Sequence, residues 1–188
     1  MRLLSLFLLV ASIVTLGVAT TQAVGGFDWN REFVSTLLRG PAGTAQNLAR
    51  VGVVLFCTGL ALIYVRLCKV EIFAKWRSII QIGGIGSCVY AIFTITPLHD
   101  LVVTISLIFY LTAAIALLIG LKKASETKLF AVGIISLAIQ IFFATSYYTG
   151  FMNWLLPWGQ RLTFGGIAIW LSLMDWQLPR QHSTPETI

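Results

Sequence analysis

The sequence predicts an all-α membrane protein, a bundle of six transmembrane helices with both termini in the cytoplasm. Three observations lead there. Six long apolar stretches lie at about 3–24, 49–67, 77–96, 98–121, 128–149 and 158–178. Each is long enough to cross a hydrocarbon core of roughly 30 Å as a helix. The composition is 57% hydrophobic and only 11% charged, with a mean hydropathy of +0.88, where a soluble domain carries about 25% charged residues. The cations also sort by side. Arg2, Arg66, Lys69, Lys75, Arg77, Lys122, Lys123, Lys128 and Arg180 fall on one side, and Arg31, Arg39, Arg50 and Arg161 on the other. That nine-to-four split predicts an N-in, C-in topology by the positive-inside bias.

The 188 residues suit a single domain, with residues 179–188 as a polar cytoplasmic tail. The net charge of +6 is not a nucleic-acid footprint, because most of the cations set topology and none forms a long basic run. The expected partners are membrane lipids or a partner membrane protein, not nucleic acid. The expected location is the bacterial cytoplasmic (inner) membrane.

The first stretch straddles two categories. Met1-Arg2 followed by an apolar run and then Thr21-Gln22-Ala23 has features of a cleavable signal peptide. The length of the run and its single basic start favour an uncleaved first helix. Cleavage after Ala23 would leave five spans with the downstream orientation unchanged.

Residues 25–48 form the only sizeable outer segment. Gly25-Gly26 and Gly40-Pro41 break it at its ends. Between them Phe33, Val34, Leu37 and Leu38 recur at helical spacing. This predicts a short amphipathic helix over Asp28 to Arg39, lying on the membrane or tucked over the bundle. The cytoplasmic loop from Arg66 to Arg77 is short and basic, and Trp76 sits at its end as interface aromatics do. Thr96 suits the cap of the fourth helix, Pro97 its first turn, and Asp100 the positive helix end. Pro157 suits the start of the sixth helix. The loop before it, Tyr147 to Trp158, is aromatic and uncharged.

Small residues form stripes. Gly83, Ser87 and Ala91 lie four apart on the third helix, and Gly165, Ala168 and Ser172 share a face of the sixth. Such faces let helices approach closely in lipid, and intramolecular packing is the expected use. The same reading covers Ile82-Gly83-Gly84-Ile85-Gly86. Cys57 and Cys88 lie inside spans and Cys68 at a cytoplasmic helix end, so no disulfide is expected. Cys68 beside Arg66 and Lys69 is either an acylation site or an ordinary juxtamembrane cysteine, the blander reading being favoured.

The polar residues that need a reason cluster near the outer surface: Asp28, Asn30, Arg31 and Glu32, then His99 and Asp100, then Tyr147 and Tyr148, then Asn153, Gln160 and Arg161. His99 and Asp100 are the candidate catalytic pair. One reading makes His99 a proton acceptor or ligand facing an outer cavity, with Asp100 paired to Arg161 or Arg31. The other makes Asp100 a helix-start residue and His99 an interfacial polar group. Arg161, Gln160, Tyr147, Asp28, Arg31 and Glu32 are the candidate ligand-binding residues. The expectation is that His99, Asp100 and Arg161 converge on one cavity with Tyr147 and Gln160, because short loops bring those helix ends together. Gln140, mid-span with Ser136 and Ala144 at four-residue spacing, is expected to make an interhelical hydrogen bond.

No metal or cofactor is expected. The second histidine, His182, is in the tail, and paired Cys or Glu-x-x-His ligands are missing. The chain has no Gly-x-Ser-x-Gly, phosphate-binding loop or dinucleotide fingerprint. Proton- or sodium-coupled transport usually needs an intramembrane carboxylate, and no charge lies in the middle of any span. The leading expectation is a non-enzymatic protein that binds a lipid, amphiphile or partner protein at its outer face. The alternative is a membrane-embedded enzyme using His99 and Asp100 on a lipid substrate. A small-solute transporter is third.

Three motifs carry a resemblance: Trp29-Asn30-Arg31-Glu32-Phe33-Val34-Ser35, Thr96-Pro97-Leu98-His99-Asp100, and Leu156-Pro157-Trp158-Gly159-Gln160-Arg161. With them the layout resembles an uncharacterised group of bacterial six-span membrane proteins and, more distantly, the Frag/DRAM/Sfk-type six-span families. The resemblance spans the whole chain. It implies the six-span fold, a Ser-containing first loop and a polar or His-containing start of the fourth helix, with lipid or lipid-anchor handling in some members. This chain departs from the pattern in carrying one histidine near the fourth helix where relatives often carry more.

Overall fold

The computed structural model describes residues 2–96 and 98–178. Pro97, Arg180, His182 and the tail after Leu178 lie outside the described residues. The fold is all-helical, with no strand among the described residues. Seven α-helices follow in order: α1 (Arg2–Thr21), α2 (Val34–Arg39), α3 (Thr44–Leu67), α4 (Arg77–Ile92), α5 (His99–Lys123), α6 (Thr127–Thr149) and α7 (Leu156–Gln177). Short 3-10 turns at Glu71–Trp76, Phe93–Ile95 and Asn153–Leu155 connect them.

Five helices are long and apolar enough to cross a membrane: α1, α3, α4 with its flanking 3-10 turns, α5 and α6. α7 is a further long helix of 22 residues, made less apolar by Gln160, Arg161 and Asp175.

Packing between neighbours is antiparallel and is set by small residues that let backbones approach. α1 lies along α3: Leu16 covers Gly52, Leu9 covers Gly59, and Ser12 Oγ donates to the Gly52 carbonyl at 2.7 Å. α3 meets α4 where the Tyr64 ring lies on Gly84, so near that an added Cβ would stand 2.3 Å from it. α4 meets α5 where Gly83 abuts the Phe109 carbonyl and Gly86 the Phe109 ring. Ser106 donates there to the Ser87 carbonyl at 2.8 Å. α6 meets α7 where Trp170 lies on Gly133 and Phe143 on Gly159. The Trp170 indole N–H is satisfied by the Leu129 carbonyl at 3.0 Å. Phe73 of the inner 3-10 turn fills the space over Gly120 of α5.

The third-helix stripe therefore packs within the molecule, as does the Gly-rich run. The sixth-helix stripe divides: Ala168 packs against the core, but nothing lies within 4 Å of where a Gly165 side chain would begin. Gly159 and Gly166, seven residues apart, form the close face instead, Gly166 facing Ser136. Gln140 is buried and makes the expected interhelical bond, donating to Tyr110 Oη at 2.8 Å.

The outer segment differs from expectation in extent. Only Val34–Arg39 is α-helical, while Asp28 to Glu32 turn tightly, the Arg31 and Glu32 amides donating to the Asp28 carbonyl. The Asp28 carboxylate accepts from the Asn30 amide at 2.8 Å, an Asx turn that competes with helix. Gly25 and Gly26, both at φ +86°, turn the chain beyond α1 in a backbone region that favours glycine. α2 is tucked in: Leu37 and Leu38 are buried with Ala19 of α1 and Ala49 of α3. Gln46 holds its end by donating to the carbonyls of Leu38 (3.1 Å) and Gly40 (2.9 Å).

Pro157 sits in the first turn of α7 as expected. Thr96 does not cap α5. The residue at the helix start is Leu98, and the Thr96 hydroxyl donates back to the Phe93 carbonyl at 2.8 Å.

Candidate functional site at the outer rim

The rim at the end carrying the 25–43 segment is built from two separate polar clusters. The first joins α5 to α6. His99 Nδ1 and Asp100 Oδ1 stand 2.9 Å apart in the first turn of α5. From the last turn of α6, Tyr147 Oη donates to the same carboxylate oxygen at 3.0 Å. Tyr148 Oη and Thr104 Oγ1 are 2.7 Å apart, and Thr104 also donates to the Asp100 carbonyl at 2.8 Å. The His99 side chain is 14% exposed and the Asp100 carboxylate 73%. A largely covered imidazole is thus oriented by a carboxylate that stays open to approach.

The second cluster joins α7 to the outer segment. Arg161 donates to the carbonyls of Trp29 (2.6 Å) and Glu32 (2.9 Å). Its guanidinium lies 4.8 Å from the Trp29 ring centre, 5.2 Å from Trp158 and 5.9 Å from Phe27, within cation–π range. Gln160 Oε1 accepts from the Val34 amide at 2.8 Å, satisfying an otherwise orphan donor at the start of α2. Together the two residues latch the segment onto the bundle.

The expected convergence is half met. His99, Asp100 and Tyr147 come together. Arg161 and Gln160 do not join them by any hydrogen bond or ion pair. The expected pairing of Asp100 with Arg161 or Arg31 is corrected as well. Arg161 finds two backbone carbonyls and three ring faces, a planar fork matched by fixed acceptors. Arg31 pairs at 3.7 Å with Asp28 at an exposed site, where such a pair contributes little. Glu32 engages through its backbone carbonyl. A shallow cavity of ≈ 260 Å³ opens elsewhere, between α4 and α5, lined by Ile79, Ile82, Ile108 and Phe109 among others.

Among the described residues no group of three His, Cys, Asp or Glu could hold a metal ion. Cys57, Cys68 and Cys88 are free and buried. The Cys68 thiol turns inward to the Arg77 carbonyl at 3.5 Å, and burial raises its pKa above the ordinary thiol value.

Two arginines read from the sequence only as topology cations have structural settings of their own. Arg66, in the last turn of α3, is buried against Asp175 of α7, with Nε at 2.9 Å from Oδ1 and Nη2 at 2.8 Å from Oδ2. Nη2 also bonds Ser5 of α1. The available signal was Asp175, a lone carboxylate inside the otherwise apolar run of α7. Arg50 lies six residues into α3, and no spacing pattern marks it.

The chain matches no protein-family model, no curated protein and no solved structure. The geometry alone bears on function.

Proposed function

We propose that this chain is a six-span, N-in/C-in protein of the bacterial cytoplasmic membrane that binds a lipid, an amphiphile or a partner protein at its outer face. The observation that carries the reading is the exposed Asp100 carboxylate, held by Tyr147 and His99 at the level where helices meet the membrane surface. The same rim exposes Tyr148, Phe151, Trp154 and Trp158, side chains suited to the headgroup level. A polar contact on a rim with amphipathic aromatics favours a molecule with one polar and one apolar end. α7 acts as the sixth span in this reading, because it runs antiparallel to α6 over a similar length. α1 is retained, because its Ser5 and Ser12 complete contacts on α3. The resemblance to the Frag/DRAM/Sfk-type families points the same way.

Native mass spectrometry of the protein extracted with its lipids tests the reading. A co-purifying amphiphile should be present in the wild type and lost from Asp100→Asn and Tyr147→Phe, with both variants folded. Equal retention in the variants would sink the rim as the binding site.

One observation favours a second reading, an enzyme acting on a lipid. His99 Nδ1 is engaged by Asp100, which leaves Nε2 as the nitrogen to exchange a proton. That reading requires a product from bilayer lipid that disappears in His99→Ala.

A further inference from the structure

Arg50, near the outer end of α3, has no partner among the described residues. Arg31 has Asp28, and Arg161 has two carbonyls and three rings. Arg50 makes no hydrogen bond, ion pair or ring contact among the described residues, and its Nε is buried without an acceptor. The residue belongs to α3, a helix apolar enough to cross a membrane. Six residues of helix carry it about 9 Å in from Thr44. The side chain as a whole is half-buried.

Its setting gives it direction. Gln46, one turn earlier on the same face, ties down the end of α2. Cys57 and Tyr64, seven and fourteen residues later on that face, are both buried in the core. Arg50 therefore lies on that side of α3, in the second turn of the helix. Its Nε has lost its hydration and received no protein acceptor in return. Ionisable groups within membrane spans are costly unless paired and usually mark a binding site. A guanidinium presents a planar fork of donors matched to phosphate or carboxylate oxygens.

We propose that Arg50 binds the anionic group of an amphiphile, a phosphate or carboxylate, at the outer end of α3. This deepens the outer-face reading and rests on it. It adds a charge sign to the ligand and a residue to the site.

The test uses the full chain in nanodiscs of phosphatidylcholine doped with phosphatidylglycerol, read by native mass spectrometry after graded delipidation. The wild type should retain at least one phosphatidylglycerol in preference to phosphatidylcholine. Arg50→Gln should lower that retention at least tenfold, and Arg50→Lys should keep part of it. Lys123→Gln, which removes an exposed cation at the far end of α5, should leave it unchanged. A second arm titrates inorganic phosphate into pure phosphatidylcholine discs. Thermal stabilisation that depends on Arg50 would show that the free anion also fills the site. A flat response would assign the site to the lipid-borne group. Undiminished phosphatidylglycerol retention by Arg50→Gln overturns the proposal. So does a wild type with no preference for the anionic lipid, and in that case a neutral amphiphile lost on Asp100→Asn would leave the outer-face reading standing.

Discussion

Arg66 and Asp175 stand 109 positions apart in the sequence and meet at 2.8 Å across the ends of α3 and α7. Both are buried, and Ser5 of α1 completes the group. Three helices, α1, α3 and α7, are thereby tied at one end. Two ions removed from water offset their desolvation only with close geometry and further hydrogen bonds, and the bidentate fork with Ser5 supplies both.

Breaking that pair should cost far more than removing it. Asp175→Ala leaves Arg66 buried without its counter-ion and should lower stability by about 3–5 kcal/mol. The double variant Arg66→Met/Asp175→Leu should recover most of the loss. Thermal melts in detergent check both. A double variant no better than Asp175→Ala would mean that the pair is not the cause.

The glycines should divide by what faces them. Gly84→Val drives a side chain into the Tyr64 ring and should cost about 1–3 kcal/mol by overpacking. Gly165→Ala enters open space and should leave the melting temperature unchanged or raise it, since alanine is the better helix former by roughly 1 kcal/mol. Equal losses in the two would contradict the assigned faces of α4 and α7.

The latch should govern protease access to the outer segment. Gln160→Ala removes one hydrogen bond, worth about 1 kcal/mol, and Arg161→Ala removes two charge-assisted ones, each worth about 1.5–3 kcal/mol. Trypsin should therefore cleave after Arg31 faster in both, and most in Arg161→Ala. Arg161→Lys should not restore protection, because an ammonium cannot reproduce the fork to two carbonyls. Wild-type cleavage rates in Arg161→Ala would show the segment to be held otherwise.

Cys68 should be slow to react in the folded protein. Burial favours the neutral thiol and lifts the pKa, partly opposed by Arg77. Less thiolate is then present at pH 7, and iodoacetamide labelling should rise steeply only on unfolding or at alkaline pH. The sign for stability follows. The folded pKa exceeds the unfolded one, so this contribution is intact below the ordinary thiol value of 9.0. It is lost as pH rises beyond that value toward the folded pKa. Rapid labelling at pH 7 would contradict the inward thiol.

Topology is open to a direct check. Reporter fusions within residues 69–75 and at residue 188 should report the cytoplasm, and one near Asn153 the outside. An external residue 188 would overturn the six-span reading.

The sequence by itself determined the order and approximate extent of the long helices. An apolar run long enough to span a bilayer admits only a helix there, since backbone groups must be satisfied internally, and Gly25-Gly26, Gly40-Pro41 and Pro157 punctuate the runs by local sterics. It also located the rim residues, because polar side chains gather where apolar runs stop. Only the tertiary structure decided which face of each helix turns inward. Lipid and protein interior are about equally apolar, so hydropathy in these helices carries little of the periodicity that marks a buried face in water. That is why Gly165 was assigned to packing while Gly159 and Gly166 perform it. It is also why Arg66 and Arg50 read alike as topology cations, although one meets Asp175 and the other meets no acceptor. Arg161 read as a partner for Asp100 for a related reason. Its real acceptors are the backbone carbonyls of Trp29 and Glu32, and a carbonyl's position depends on how the chain folds, not on which residue bears it.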